Sequence, residues 1–390
     1  MITIIKNADI YAPEPLGIKQ VVILEDKIEG IYDNINIPEN FIEIKVVDAE
    51  GKILVPGFID NHVHILGGGG EGGFKTRTPE LPLSKITTAG ITTLVGCLGT
   101  DDVCRDIRAL VAKANALEEE GITTYIYTGS YEIPVKSLTG TPKGDLMMVT
   151  KAIGVGEIAL SDHRSSQPTY EQFINTVAQA RVGGLLSGKA GVVNVHLGSG
   201  ADMMDYLFSM INKSEIPVTQ MLPTHINRSD SLFKKGIEYA KAGGFIDLTT
   251  SSDPDFIEPG EVKASKGLKL LLEAGVPLER ITFSSDGNGS MPLFDENKKY
   301  VGLGICSVET LFREVKDAVL EENIPLGEAL KVITSNVAKV LKLKSKGSIE
   351  KGKDADLVFL DKDTLKIDSV MAKGKFHVEN YKVIIKGTFE

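Results

Sequence analysis

From Gly57 onward the chain repeats one unit: a short apolar, β-rich run, then an amphipathic stretch, then another run. The runs cover residues 57–62, 91–96, 123–128, 153–160, 192–196, 218–225, 245–250 and 281–285. Helical stretches lie between them at 81–89, 102–120, 172–181, 201–212, 231–242 and 264–274. Near-continuous apolar runs are the mark of strands buried on both faces. Strand–helix alternation forces parallel pairing, with the helices outside. Eight such strands predict an α/β fold, a (β/α)8 TIM-like barrel, in preference to an open doubly wound sheet.

The two ends of the chain read differently. Residues 2–5, 21–24, 27–32 and 41–47 are short strands separated by turn residues, with no helix among them. After Gly304 come helical stretches at 308–321 and 326–341, and then β again at 347–360, 367–373 and 382–386. Both termini therefore carry sheet. The expected organisation is a small β-sandwich domain from residues 1–55 plus 345–390, beside a barrel over 56–344. A chain of 390 residues is long enough for both.

Charge and cysteine usage narrow the function. A net charge of −10 with no basic cluster argues against nucleic acid and anionic membranes as partners. No apolar run approaches the roughly 20 residues needed to span a bilayer. Three cysteines, Cys97, Cys104 and Cys306, cannot all pair and form no CxxC, which suits a reducing compartment. The first residues lack a basic segment followed by an apolar one, so no signal peptide is expected. A cytoplasmic protein is expected, and an acidic barrel of this kind is expected to be a homo-oligomer.

The chemistry starts at Pro56-Gly-Phe-Ile-Asp-Asn-His-Val-His64, where two of only six histidines stand two residues apart. In a strand, positions i and i+2 share a face, so His62 and His64 can offer two imidazoles to one metal ion. The glycines of 67–73 follow. They are not a phosphate loop, because Phe74 separates Gly73 from Lys75 where that motif needs Gly-Lys adjacent, and Glu71 would repel phosphate.

Catalytic groups of a β/α barrel gather at the carboxyl ends of its strands. Those ends supply His62 and His64, then Gly129-Ser-Tyr131, Glu157 with Ser161-Asp-His-Arg164, His196, His225, and Ser284-Ser-Asp286-Gly-Asn-Gly-Ser290. Taken singly, His196 or His225 fits a buried, backbone-bonded histidine, and Asp286 fits a turn residue before glycine. Glu157 is harder to dismiss, because an unpaired carboxylate in an apolar strand costs several kcal/mol or titrates to neutral. Together, four histidines and two carboxylates suit two divalent ions, Zn²⁺ above others. His62, His64 and Asp286 are expected to hold one, His196 and His225 the other, with Glu157 and a hydroxide between them.

This pattern resembles the amidohydrolase superfamily: His-x-His on strand one, a carboxylate donor on strand four, histidines on five and six, and aspartate on eight. Within it the chain is similar to the isoaspartyl (β-aspartyl) dipeptidase family. The segments that carry the likeness are Pro56 to Glu71, Val95-Gly-Cys-Leu-Gly-Thr100-Asp, Ser161-Asp-His-Arg164, Arg181-Val-Gly-Gly-Leu-Leu, Leu222-Pro-Thr-His-Ile-Asn-Arg228 and Ser284 to Ser290. The tail Gly352-Lys-Asp-Ala-Asp-Leu is common to the superfamily. The resemblance implies a binuclear metallo-dipeptidase that releases aspartate and a free amino acid when hydroxide attacks the side-chain amide. It implies that Glu71 holds the substrate ammonium, Arg164 and Arg228 bind carboxylates, and Thr100 and Ser290 make further polar contacts. Tyr131 would donate to the scissile carbonyl, and Asp286 would accept and return the proton. His163 is expected behind the ligands or in a structural role, and His377 on the surface.

One departure matters. Many relatives bridge their metals with a carboxylated lysine, but this chain has Ile153-Gly-Val-Gly-Glu157, and Lys151 and Lys189 precede their strands. Glutamate supplies the same carboxylate on a shorter arm, so the strand must approach more closely, which Gly154 and Gly156 ease. Activity independent of bicarbonate is expected. The alternative is another amidohydrolase reaction, of the hydantoinase or dihydroorotase type or an N-acyl amino acid deacylase.

Overall fold

The computed structural model describes residues 2–37, 43–251, 260–295 and 299–390. Five strands open it: β1 (Ile2–Tyr11), β2 (Pro15–Leu24), β3 (Lys27–Tyr32), β4 (Ile44–Asp48) and β5 (Lys52–Pro56). The strand expected over 41–47 is β4, and residues 41 and 42 lie outside the described residues. The eight apolar runs follow as β6 (Phe58–Val63), β7 (Ile91–Gly96), β8 (Thr123–Thr128), β9 (Ala152–Leu160), β10 (Val192–Leu197), β11 (Met221–Thr224), β12 (Ile246–Thr249) and β13 (Ile281–Ser284). Every residue of β6, β7, β9 and β10 is buried, as strands covered by helices on one side and a filled barrel on the other must be.

Helices α1 (Leu83–Thr88), α2 (Ile107–Glu119), α3 (Pro142–Met148), α4 (Tyr170–Ser187), α5 (Asp205–Lys213), α6 (Asp230–Lys241) and α7 (Ala264–Glu273) connect them. In α2 the buried positions Ile107, Leu110, Ala114 and Leu117 recur at helical spacing, which lays one apolar stripe on the sheet. The sequence reading has no counterpart for α3. Its seven residues are too few to show a period, and the available signal is its start: Thr141 caps Gly144 N, and Pro142 stands in the first turn.

Strands β6 to β11 pair in chain order as one parallel sheet, and β12 pairs with β13. The ring closes between β13 and β6, where His64 N donates to Gly287 O at 2.8 Å. Between β11 and β12 the join is made by side chains. Asp247 accepts from Thr224 at 2.8 Å, Asn61 at 3.0 Å, Thr282 at 2.6 Å and Ser284 at 2.5 Å. One buried carboxylate thus ties four strands together, and its full set of donors makes that burial tolerable.

After β13 a hairpin of β14 (Ser290–Phe294) and β15 (Tyr300–Ile305) precedes α8 (Thr310–Leu320). Pro292, Gly302 and Gly304 interrupt its pattern, which is why the hairpin is not legible in the sequence. The helix expected over 326–341 is split into α9 (Leu326–Lys331) and α10 (Ser335–Val340). The break frees two carbonyls. Val332 O accepts from Phe283 N at 3.0 Å and Ile333 O from Ile59 N at 2.8 Å, so the barrel strands gain partners that a continuous helix would have used.

The chain ends in β16 (Leu357–Asp361), β17 (Ile367–Ala372), β18 (Lys375–Glu379) and β19 (Lys382–Val383). Among the described residues these four and β1–β5 form one nine-stranded sheet, stitched where β16 runs antiparallel to β5. The strands expected to make a sandwich are therefore hydrogen-bonded into a single sheet. It curls, because Ile28 N donates to Lys353 O at 2.9 Å and Ala355 N to Asp26 O at 2.7 Å, bringing β3 to the segment before β16. Ile5, Ile10, Ile23, Ile28, Leu54, Phe359 and Met371 fill its own core. His377 is not on the surface as expected but buried. Both faces of β18 are covered: Phe376 enters the sheet's core, while the His377 ring packs on Gly121, where a β-carbon would come within 2.8 Å. Among the described residues, no helix is long and apolar enough to cross a membrane.

Candidate metal centre and substrate pocket

The ends of β6 and β13 are locked together before any ligand is considered. Asp60 accepts from Ser285 N at 3.2 Å, Ser285 Oγ at 2.5 Å and His62 N at 3.3 Å. Burial pushes its carboxyl up to about 7, against those hydrogen bonds. The lock sets His62, in β6, and His64, one residue beyond it, against Asp286, one residue beyond Ser285. Asp286 Oδ1 lies 3.0 Å from His64 Nε2 and 3.5 Å from His62 Nε2.

Glu157 enters from β9. A β-carbon at Gly154 would lie 2.6 Å from Val192 O, and one at Gly156 would lie 2.7 Å from Asn194 O, so only glycine lets β9 sit this close to β10. Glu157 is 1% exposed. Its oxygens lie 3.3 Å from His62 Nε2, 3.4 Å from His64 Nε2, 3.1 Å from His196 Nδ1 and 3.9 Å from His225 Nε2. Burial works against its charged form, but His62, His196 and His225 outweigh it and hold the carboxyl well below the usual range. Burial also opposes the charge of Asp286, and His64, His62 and His225 pull it down in the same way.

Among the described residues two donor groups emerge, one of His62, His64, Cys97 and Glu157, the other of Glu157, His196 and His225. Glu157 belongs to both. The first group differs from the expected set of His62, His64 and Asp286: it holds Cys97, and Asp286 lies beside it, 3.0 Å from His64 Nε2. The donor set fits divalent ions. His62 Nδ1 and Nε2 and Glu157 Oε1 are buried without a hydrogen-bond partner, and groups of that kind need one. Zn–N and Zn–O bonds of about 2.0–2.1 Å put tetrahedral donors roughly 3.3 Å apart, close to the separations of His62, His64, Glu157 and Asp286.

His225 takes a left-handed backbone at φ 62°, ψ 28°, which turns the chain into a short 3-10 helix, Ile226–Arg228. That turn presents Arg228 to the same mouth. His225 Nδ1 meets Thr249 Oγ1 at 2.6 Å and its Nε2 lies 2.9 Å from His196 Nδ1. Burial, with His196 and Arg228, pushes His225 down to about 3, so it is a neutral imidazole, the form that ligates.

Above the cluster lies a cavity of about 510 Å³ lined by Glu71, Thr100, Tyr131, Arg164, Arg228 and Ser290, together with Asp286. The Tyr131 hydroxyl is 2.9 Å from His196 Nδ1. Thr100 Oγ1 donates to Glu71 at 3.0 Å, and Arg164 Nη1 reaches the same oxygen at 3.4 Å. Every substrate-contact residue expected from the sequence therefore faces one space.

The arginines are organised by Asp162, which the sequence reading passed over in favour of its neighbour. Arg164 donates to it through Nε at 2.9 Å and Nη2 at 2.8 Å, and His196 Nε2 lies 3.1 Å away. Arg228 Nη1 is 3.8 Å off. Burial opposes the Asp162 charge, but His196 and Arg164 hold the carboxyl far below its usual range. His163, expected behind the ligands, is exposed, because the chain turns at Ser161 (φ 54°) and points Asp162 inward instead. Arg105 was also missed. It clamps the glycine loop through Leu66 O at 3.1 Å, Gly68 O at 2.9 Å and Thr78 O at 2.6 Å, and so sets where Glu71 stands. Lys151 and Lys189 are at the other end, on Thr124 O at 3.1 Å and Val149 O at 2.6 Å.

The amidohydrolase family model matches residues 53–389. A β-aspartyl dipeptidase from Fervidobacterium islandicum AW-1, solved in complex with the β-Asp-Leu dipeptide, superposes with a TM-score of 0.90 at 47% identity, over 98% of each chain. A dihydroorotase from Carboxydothermus hydrogenoformans is 23% identical over 427 residues, 95% of this chain and 91% of that one. An adenine deaminase from Halalkalibacterium halodurans is 22% identical over 377 residues, 94% of this chain, which spans only 55% of that protein's length.

Proposed function

The chain belongs to the amidohydrolase family, and from that premise we propose that it is a binuclear metallo-dipeptidase cleaving β-aspartyl dipeptides to aspartate and a free amino acid. The observation that carries the reading is the charge pattern of the pocket. Among the charged side chains lining the cavity of the donor cluster are Glu71, Arg164 and Arg228, with Asp101, Arg105, Glu261 and Asp286 also there. Arg105 is committed to backbone carbonyls of the glycine loop and Asp101 to Arg77. A β-aspartyl dipeptide has one ammonium and two carboxylates flanking an amide made through the side chain. Arginine recognises carboxylates bidentately, and Glu71 complements the ammonium. The neighbour solved with β-Asp-Leu supports this choice.

His62, His64 and Asp286 would hold one ion and His196 and His225 the other, with Glu157 between them. Ions bound there supply an acidified water and Lewis-acid polarisation of the amide carbonyl. The residues do the rest. Tyr131, 2.9 Å from His196, donates its hydroxyl to the carbonyl oxygen as negative charge develops there. Asp286 accepts the proton of the attacking water and passes it to the leaving amine. Asp162 holds Arg164 in place, so the substrate carboxylate meets a guanidinium already oriented. Thr100 and Ser290 complete the polar wall.

The deciding assay compares β-Asp-Leu, α-Asp-Leu and cyclic ureides on metal-loaded protein. Turnover of the β-linked dipeptide alone is expected. Turnover confined to ureides such as hydantoin or dihydroorotate would replace this reading with ring opening.

A further inference from the structure

Cys97 stands one residue beyond β7, with its backbone N–H on Val63 O at 3.0 Å, so it is anchored directly beside the His62–His64 segment. It is 1% exposed. A structural cysteine is ordinarily a small hydrophobe among apolar neighbours; Cys97 does pack with Ile59, Val95 and Tyr127, but its sulfur also faces a group of polar donors. Its Sγ lies 3.8 Å from His64 Nδ1, and one donor atom each from His62, His64, Cys97 and Glu157 falls within a 4.8 Å span. Two members of that group are unsatisfied: His62 at both nitrogens and Glu157 at Oε1. Neither other cysteine joins a donor group: Cys104 is exposed, and Cys306, which lines the cavity, stands outside both.

We propose that Cys97 is a protein ligand of the ion held by His62 and His64, giving that ion a mixed nitrogen, oxygen and sulfur donor set. The inference rests on the metal-site reading above and adds a donor to it. Coordination deprotonates the thiol outright, so the sulfur enters as thiolate. A thiolate shifts preference from magnesium and manganese, which take oxygen donors, towards zinc and cobalt. It also makes the centre sensitive to oxidants, which convert a thiolate to a sulfenic acid and remove the donor.

The test strips the protein with a chelator, reloads it with Co²⁺, and records the near-ultraviolet sulfur-to-cobalt charge-transfer band beside cobalt content and β-Asp-Leu turnover. The band is expected in the wild type, Cys104→Ser and Cys306→Ser, and absent in Cys97→Ser. Cobalt retention in Cys97→Ser should fall by at least the roughly 10–100-fold that losing an outer-shell partner costs. X-ray absorption of the wild-type zinc protein needs no variant and should show sulfur at about 2.3 Å. A loaded, active wild type with only nitrogen and oxygen scatterers would overturn the proposal and leave the dipeptidase reading intact, Cys97 then being a thiol hydrogen-bonded to His64. A band that survives in Cys97→Ser would overturn it equally. Failure to bind cobalt or zinc at all would overturn both readings.

Discussion

Replacing Glu157 with alanine tests the central geometry of this protein. Among the described residues Glu157 is the one carboxylate within contact of four imidazoles, and of these residues only Asp286 can stand in for it, on the His62–His64 side at 3.0 and 3.5 Å. On the other side the nearest carboxylate, Asp162, meets His196 at Nε2, whereas Nδ1 is the atom that faces the cluster. The loss should therefore fall mainly on the ion at His196 and His225. Removing one partner from a buried charge pair costs about 3–5 kcal/mol, which at about 1.4 kcal/mol per tenfold weakens that ion by roughly a hundredfold to a few thousandfold. Metal analysis after dialysis should show stoichiometry falling from two towards one, with β-Asp-Leu turnover lost in proportion. The deletion leaves a space shaped for a small carboxylate, so formate or acetate should restore turnover along a saturable curve. Glu157→Gln fills that space and should not be rescued. An alanine variant with two bound metals and unchanged turnover would refute the bridging role.

Gly156→Ala should act on the same centre from behind. Its β-carbon would start 2.7 Å from Asn194 O, and relief to an ordinary contact moves β9 by about 0.7 Å. Overpacking of that kind costs about 1–3 kcal/mol, read as a lower melting temperature together with reduced metal retention. Asp162→Asn should loosen Arg164, because a charge-assisted hydrogen bond is worth about 1.5–3 kcal/mol. A rise in KM for β-Asp-Leu of about tenfold or more is expected at saturating metal, and because Asp162 also holds His196 Nε2 at 3.1 Å, metal affinity should fall by roughly 10–100-fold. Chelation should lower thermal stability, since ions present at a hundred times their Kd stabilise by about 2.7 kcal/mol, and zinc should reverse it. Turnover should be the same in carbonate-free and bicarbonate-supplemented buffer, because Glu157 needs no carboxylation.

The barrel was legible because burial on both faces leaves runs such as 91–96 and 192–197 free of Asp, Glu, Lys and Arg. The clustering of the donor side chains was legible because a histidine or glutamate at the end of such a run has no cheap alternative. Elements with weak periods were not: α3 is short, β14–β15 is interrupted by proline and glycine, and the α9–α10 break answers a need of distant strands. His163 and Asp162 show the limit most plainly. They are neighbours in the chain, and the backbone turn at Ser161 decides which faces the metal ligands.

The sequence alone thus determined the strand order, the carboxyl-end placement of six candidate donors and the acidic and basic residues of the pocket, because these follow from local periodicity and residue chemistry. Only the tertiary structure decided that Asp247 binds four strands, that Arg105 positions the Glu71 loop, that Asp162 aligns Arg164 with His196, and that Cys97 stands against His64. Each of those joins residues from different strands or loops. Their distances are set by barrel closure and by the close approach of β9 to β10, which no local pattern encodes.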